Sequence, residues 1–168
     1  MPTMIMRTSI FGTLYIEEGV DLWEDCLIEL DGHDLDVILS IEGGLVYEDN
    51  REQLMKLLES MPEMYRRAKD AICAAYPADS TVAGFVDFHL EELSPDALMK
   101  ALQVESPSDA TVEAFFDALH PRTIEITQDE DGGTGCWLDF SIGRDYSDEV
   151  LCVRFNGDME IYEMAHES

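Results

Sequence analysis

The sequence predicts an α+β fold, in which an antiparallel sheet or sheets, built from an N-terminal hairpin and a C-terminal meander, carry a central block of helices on one face. Apolar residues alternate with polar ones up to residue 41, recur at helical spacing between residues 51 and 119, and alternate again from residue 123. Strands are therefore grouped rather than interleaved with helices, and no strand-helix-strand pattern indicates a parallel sheet. We expect residues 1–168 to form a single domain.

Strands are predicted at residues 10–17, 22–30 and 33–41. The last two are joined by Asp31 and Gly32, and an Asp-Gly pair favours a hairpin because its turn needs positive φ at both positions. The hairpin's buried face is expected to comprise Cys26, Ile28, Leu30, Leu35, Val37, Leu39 and Ile41. The carboxylates that alternate with them are expected in water: Asp25, Glu29, Asp34 and Asp36.

Two helices are expected to follow. Asn50 precedes residues 51–61 with Gln53 three positions on, the arrangement of a capping box that satisfies free amides at a helix start. Pro62 is expected to open a second helix that ends near Tyr76, because proline is tolerated in a first helical turn.

Three shorter helices are predicted at 82–93, at 94–102 with Ser94 as its cap, and at 109–119. The spacing then changes from 3.6 to 2 residues, which indicates strands. Four are expected, at 123–127, 135–142, 150–155 and 159–164. Asn156 and Gly157 predict a two-residue turn between the last pair.

The charge of the chain limits its partners. It carries 37 Asp and Glu against 10 Lys and Arg, a formal net charge of -27. Such a charge repels phosphate backbones and anionic membrane surfaces, so we expect neither nucleic acid nor membrane as a partner. A basic protein is the natural complement, because opposite charge accelerates association. Solubility, or salt tolerance of the host, is the alternative role for the acidity.

Half of the basic residues fall within residues 51–69, which makes this pair of predicted helices locally positive. They are Arg51, Lys56, Arg66, Arg67 and Lys69. We expect them to relieve self-repulsion by lying near acidic strands.

The cysteines and the N-terminus indicate a cytoplasmic protein. Cys26, Cys73, Cys136 and Cys152 lie within apolar patterns without paired spacing, so buried free thiols in a reducing compartment are expected. The first twelve residues lack the apolar run of a secretory signal, and no stretch approaches the roughly 20 apolar residues of a membrane span.

No motif for catalysis is present. The chain lacks a phosphate-binding loop, a dinucleotide fingerprint, a nucleophile elbow and a zincin motif. His89 and Glu92 share a helix face but have no second such pair, so polar pairing is favoured over a metal site. The acidic run 129–133 resembles the start of a calcium loop, but Leu138 stands where the last ligand would be, so a hairpin turn is favoured. We predict no catalytic residue, no metal ligand and no cofactor.

The C-terminal run resembles the end of a bacterial family of unknown function. The features that carry the resemblance are Ser147-Asp148-Glu149, the alternating Leu151, Val153 and Phe155, the Asn-Gly turn and the closing Glu167-Ser168. The early Asp-Gly hairpin and the segment RRAKDAICAAY fit the order of that family as well. The resemblance implies a cytosolic bacterial α+β protein without an established activity, and it brings no site residues.

The function predicted is non-enzymatic binding of a protein, most concretely immunity against a basic toxin. Small acidic bacterial proteins without catalytic motifs include many immunity proteins, an analogy of class and charge. The candidate contact residues are Asp87, His89, Glu91, Glu92 and Asp96 in one group, and Asp129, Glu130 and Asp131 in another. Two alternatives stay open: a metal- or carboxylate-dependent enzyme built around His89 and Glu92, and a soluble acidic housekeeping protein with no dedicated partner.

Overall fold

The computed structural model describes residues 3–44 and 48–168, which form two sheets and a layer of helices. The smaller sheet pairs β1 (Thr3–Thr8) with β2 (Gly12–Glu17). The larger contains β3 (Leu22–Leu30), β4 (His33–Ile41), β5 (His120–Gln128), β6 (Thr134–Ser141), β7 (Val150–Asn156) and β8 (Ile161–Glu167), adjacent in that order. The α+β prediction is confirmed, and the Asp-Gly hairpin shares one sheet with the C-terminal strands. β1 was not predicted, and residues 10 and 11 lie in the turn before β2.

One pairing in the larger sheet is parallel. β4 lies beside β5 from Asp36 opposite Thr123 to Ile41 opposite Gln128. The connection between these strands, residues 42–119, contains every helix of the described chain. The expectation of purely antiparallel strands is therefore wrong at this position, because a parallel neighbour requires a long crossover and the whole helical block supplies it.

The helices are α1 (Glu48–Glu59), α2 (Met61–Ala75), α3 (Ser80–Glu92), α4 (Pro95–Leu102) and α5 (Val112–Ala118). Short 3-10 turns occupy Glu42–Gly44 and Pro107–Asp109. Side-chain caps fix three helix starts: Asp79 accepts from the amides of residues 81 and 82, Ser94 from that of 97, and Thr111 from that of 114. α3 thus begins two residues earlier than predicted, and α5 three residues later.

The predicted capping box at Asn50 is wrong, because α1 already begins at Glu48. The Asn50 amide instead donates to the carbonyl oxygen of Gly132 in the β5–β6 turn. Gln53, the other member of the expected box, donates to the Asp158 carboxylate in the β7–β8 turn at 2.9 Å. The two side chains therefore attach α1 to both turns at one end of the sheet.

One face of the larger sheet is buried beneath the helices. Leu35, Val37, Leu39 and Ile41 of β4 are fully buried, as predicted. The predicted partners on β3, namely Cys26, Ile28 and Leu30, are half-buried, because β3 is an edge strand. α1 packs on β5 and β6, and α3 packs on β7 and β8. A single cluster of buried apolar side chains extends from Met6 of β1 to Met159.

The two predicted tight turns have different outcomes. Asp31 and Gly32 have φ of 53° and 78°, so the Asp-Gly turn is confirmed. After β7 the residue with positive φ is Met159, at 63°, and the amide of Asn156 bonds the carbonyl of Glu160 at 2.9 Å. The loop is therefore a longer three-residue type, in which the buried Met159 joins the core.

The basic residues of 51–69 serve mainly as ties between elements. Arg51, Arg67 and Lys69 donate to the carbonyl oxygens of Ile5, Met159 and Leu119, at 3.4, 3.2 and 2.8 Å. Arg66 and Arg67 also pair with Asp70 and Glu63 within α2. Carbonyl groups, rather than the acidic strands that we expected, thus receive most of these hydrogen bonds.

The cysteines follow the expectation only in part. All four are free, and Cys136 and Cys152 are buried. Cys26 is half-buried, whereas Cys73 on α2 is exposed. Within the described residues, no helix combines the length and the apolar character that crossing a bilayer requires.

We predict opposite effects for alanine at two glycines. Gly44 has φ of +59°, and an added Cβ would lie 1.7 Å from the carbonyl oxygen of Glu17. Gly44→Ala should therefore lower the free energy of unfolding by about 2 kcal/mol or more. Gly84→Ala, exposed in α3 with no atom within 4 Å of an added Cβ, should raise it by about 0.5 to 1 kcal/mol. Urea denaturation checks both, and equal effects would contradict the close approach at Gly44.

Candidate functional site

The larger sheet has a second face, which we call the open face, on which no helix packs. Side chains alternate along a strand and paired residues point the same way, so the register identifies this face. Its residues include Trp23, Asp25, Leu27, Glu29, Asp34, Asp36, Ile38, Ser40, Thr123, Glu125, Thr127, Trp137, Asp139, Val150, Cys152, Arg154, Glu163, Ala165 and Glu167. Six strands at a spacing of about 4.8 Å make it about 24 Å wide.

Large apolar side chains project from the open face into solvent. Both tryptophans of the chain lie there, Trp23 with 58% and Trp137 with 41% of its surface exposed. Leu27 is 63% exposed, and Ile38 is half-buried. Arg154 lies over the Trp137 ring, 4.8 Å from its centroid, and bonds Glu163 and Glu167 at 2.5 and 2.6 Å. Trp137 is therefore held in place by a cation–π contact within an ion-pair network.

Carboxylates surround these apolar side chains. Eight lie on the open face: Asp25, Glu29, Asp34, Asp36, Glu125, Asp139, Glu163 and Glu167. Arg154 lies among them, and Arg144, from the loop after β6, contacts Asp36 at 3.4 Å. Burial, and the charge of neighbouring Asp139, raise the pKa of Glu125. Burial likewise raises the pKa of Asp139. Charge is thus crowded at the centre of this face, where a cationic group would relieve it.

A cleft of about 330 Å³ opens at the end of the sheet that carries the Asp-Gly turn. Its lining includes Leu27, Asp34 and Asp36 of the open face. The remaining walls come from β5, β6 and the following loop: His33, His120, Pro121, Arg122, Ser141 and Arg144.

The imidazoles of His33 and His120 stack in this cleft, with ring centroids 3.9 Å apart and planes within 5°. The Nδ1–H group of His120 donates to the carbonyl of Ala118 at 2.9 Å, which fixes the orientation of the ring. Burial lowers the pKa of His120, and the nearby His33 lowers it further. Arg122 occupies a β-bulge between Pro121 and Thr123, a feature that redirects a side chain out of the regular pleat.

The predicted contact residues lie in two separate places. Asp87, Glu91, Glu92 and Asp96 are exposed on α3 and α4, in the helix layer. Asp96 pairs with Lys100 at 3.4 Å, and Asp87 accepts from the Tyr76 hydroxyl at 3.2 Å. The exposed Asp129, Glu130 and Asp131 lie in the β5–β6 turn, as the hairpin prediction required. The two groups therefore do not form one surface.

His89 is not available to a partner, because its side chain is fully buried. Its Nδ1–H donates to the Phe85 carbonyl at 2.7 Å, so in the neutral ring Nε2 accepts from the Ser147 hydroxyl at 2.8 Å. The Ser147 oxygen in turn accepts from the amide of Glu149 at 3.1 Å. Burial lowers the pKa of His89 and favours this neutral state. With both ring nitrogens engaged and Glu92 exposed, the pair does not form a metal or catalytic centre.

One cluster on the open face brings three possible metal ligands together. Atoms of Asp139, Cys152 and Glu167 lie within 4.8 Å of one another. Burial, followed by the charge of Asp139, raises the pKa of Cys152 to about 12, so the thiol stays protonated and hydrogen-bonds to that carboxylate. Arg154 already binds Glu167. These contacts favour a hydrogen-bonded cluster over a cation site.

The residues that distinguish the open face are not among those predicted from the sequence. Trp23 and Leu27 occupy positions whose alternation with Cys26 and Ile28 places them on the water-facing side of β3. Trp137 also lies on the open face, because its neighbours Cys136 and Leu138 are fully buried on the opposite face of the sheet. A large apolar residue on the polar side of a strand was the available signal.

We predict that buried His89 makes the protein less stable in acid. Because its folded pKa lies below the unfolded value of 6.5, stability should be lost as the pH falls through 6.5 toward the folded pKa. His89→Gln should cost about 1 to 3 kcal/mol at pH 7.5 and give a shallower loss of stability between pH 7.5 and 5. Urea denaturation across this range provides the measurement. Parallel pH profiles for the two proteins would contradict a neutral buried imidazole.

No protein-family model, curated protein or solved structure matches the chain. The resemblance of the C-terminal run to a bacterial family therefore stays a prediction. Inferences about function depend on the geometry of the open face and of the cleft.

Proposed function

We propose that this protein acts by binding another protein, without catalysis, and that a basic partner docks on the open face of its six-stranded sheet. The observation that carries the proposal is the exposure of both tryptophans of the chain on one helix-free face. Trp and Arg are the residues that most often dominate binding energy at protein interfaces. Trp137 and Arg154 stack together there, and Trp23 lies on the third strand away, about 14 Å across the sheet.

The charge of the open face favours a basic partner over a second copy of this chain. Eight carboxylates surround the apolar side chains and outnumber the guanidinium groups of Arg154 and Arg144 that contact them, and two copies would each bring a net charge of -27. Lys and Arg side chains of a partner would pair with Asp25 and Glu125, near the two tryptophans, and with Asp139 beyond Trp137 on β6. Such complementarity raises the association rate and discriminates against acidic proteins.

Immunity against a basic toxin is the most concrete form of this function. A width of about 24 Å suits the roughly 800 Å² that each partner buries in a standard interface. A toxin with a basic active-site groove offers both the charge and the extended shape that a flat acidic sheet can cover. Four free cysteines support a cytoplasmic location for the protein.

The aromatic residues provide the first test of the proposal. Trp137→Ala and Trp23→Ala should each weaken binding of a toxin domain encoded beside the gene by about 2 kcal/mol, roughly thirtyfold in Kd. Tyr15→Ala is the matched control, because Tyr15 is 64% exposed on β2, away from the open face. Calorimetry measures the three affinities. The absence of any binding, or equal losses in all three variants, would reject the open face.

The carboxylates provide a second test, which separates the open face from the helical carboxylates chosen from sequence. Neutralising Asp25, Asp34 and Glu125 together should lower the association rate about tenfold at low salt. Neutralising Asp87, Glu91 and Glu92 removes the same charge from α3 and should have a much smaller effect. Stopped-flow fluorescence of the tryptophans measures both rates. A larger effect of the α3 variant would show that the partner binds the helices instead of the open face.

The same variants address the housekeeping alternative. If the acidity serves only solubility, both triple variants should leave every cellular phenotype unchanged and lower solubility equally. Loss of protection against the toxin in the open-face variant alone supports a dedicated partner.

A further inference from the structure

We propose that the cleft lined by His33, His120, Arg122 and Arg144 binds a small oxyanion, the carboxylate or phosphate group of a small molecule. This site is distinct in chemistry from the docking of a basic protein and does not depend on it. A volume of about 330 Å³ is at the lower end of the range for small-molecule sites.

The cleft places two guanidinium groups and two imidazoles beside the carboxylates of Asp34 and Asp36, in a protein that has few basic residues. Only 10 Lys and Arg stand against 37 acids, yet two arginines line this one cleft. Lys69 lies behind it, bound to the Leu119 carbonyl at 2.8 Å, and its charge acts on His120. The guanidinium fork suits the geometry of carboxylate and phosphate oxygens.

In the described part of the chain, neither arginine is held by a short ion pair, although the charge of Arg122 acts on the Asp139 carboxylate. Arg122, displaced from the regular pleat by its bulge, forms no salt bridge with any residue in the described ranges. Arg144 contacts Asp36 at 3.4 Å, but the two side chains are 59% and 47% exposed. An ion pair so exposed contributes little, so an anion can replace Asp36 as the partner of Arg144.

The remaining lining contains two carboxylates, Asp34 and Asp36, together with apolar and imidazole side chains. The Nδ1 of His120 is occupied by the Ala118 carbonyl, and among the described residues three metal-ligating atoms converge only at Asp139, Cys152 and Glu167. Leu27 and Pro121 provide apolar contact for a short carbon skeleton. The His33–His120 stack forms a rigid wall beside the guanidinium groups.

Nuclear magnetic resonance of the histidine rings tests the proposal. The full chain is titrated with inorganic phosphate and, separately, with succinate, at an ionic strength held constant with sodium chloride. We expect saturable shifts at His33 and His120 with at least one of them, and none when chloride alone is increased. A saturable shift with phosphate alone, or with succinate alone, identifies the oxyanion that the cleft prefers. No saturable shift with either would overturn the proposal.

Two variants and a control distinguish a built site from general attraction. Arg122→Gln should raise Kd by roughly tenfold or more, and Arg122→Lys, which keeps the charge but loses the fork, by less. Arg66→Gln removes the same charge from the exposed surface of α2 and should leave Kd within about twofold of the parent value. Equal weakening by Arg66→Gln and Arg122→Gln would overturn the site. Circular dichroism of each variant confirms that the fold is retained.

Discussion

The parallel pairing of β4 with β5 joins the two halves of the chain into one sheet, and the other features described follow from it. Because a parallel neighbour can only be reached by crossing the sheet, residues 42–119 must lie over one of its faces. All helices of the described chain lie in that crossover, so the opposite face receives none. The apolar face of β4 is thereby completely buried, whereas Trp23 and Trp137 are left exposed.

Charge in this protein is organised by element rather than spread evenly. Most basic side chains of α1 and α2 donate hydrogen bonds to backbone carbonyls of neighbouring elements. Arg67 donates to the Met159 carbonyl and Lys69 to the Leu119 carbonyl, which attaches the helices to the strands that follow. The carboxylates alternate along the strands and collect on the open face. Arg122 and Arg144 lie at the end of the sheet, where Arg144 contacts Asp36 of the open face. A molecule of net charge -27 thus presents two guanidinium groups in a cleft at the edge of an acidic surface.

Sequence patterns predicted the features that depend on neighbours in the chain. The Asp31-Gly32 turn needs only its own two dihedral angles, and alternation alone placed Leu35, Val37 and Leu39 in the core. The Asn156-Gly157 turn failed because burial of Met159, a tertiary demand, selects a longer loop. The parallel pairing depends on residues far apart in sequence, which periodicity does not report.

The candidate site was less accessible from sequence than the fold. The run of acids around His89 predicts an exposed residue, whereas its spacing from Phe85 and Val82 places it on the inner face of α3. Trp23 and Trp137 occupy water-facing positions that alternation already marked. The cleft could not be anticipated, because β3, β4, β5 and β6 meet there only in the folded sheet.

The long crossover also sets the order in which the sheet can be completed during synthesis. β4 leaves the ribosome 78 residues before β5 begins, the length of segment 42–119. At about 5 to 20 residues per second, its inner edge stays unpaired for about 4 to 16 s. An apolar strand with a free edge invites pairing with other nascent chains. Asp34 and Asp36 interrupt the apolar residues of β4, and charges at such positions oppose aggregation of an unpaired strand.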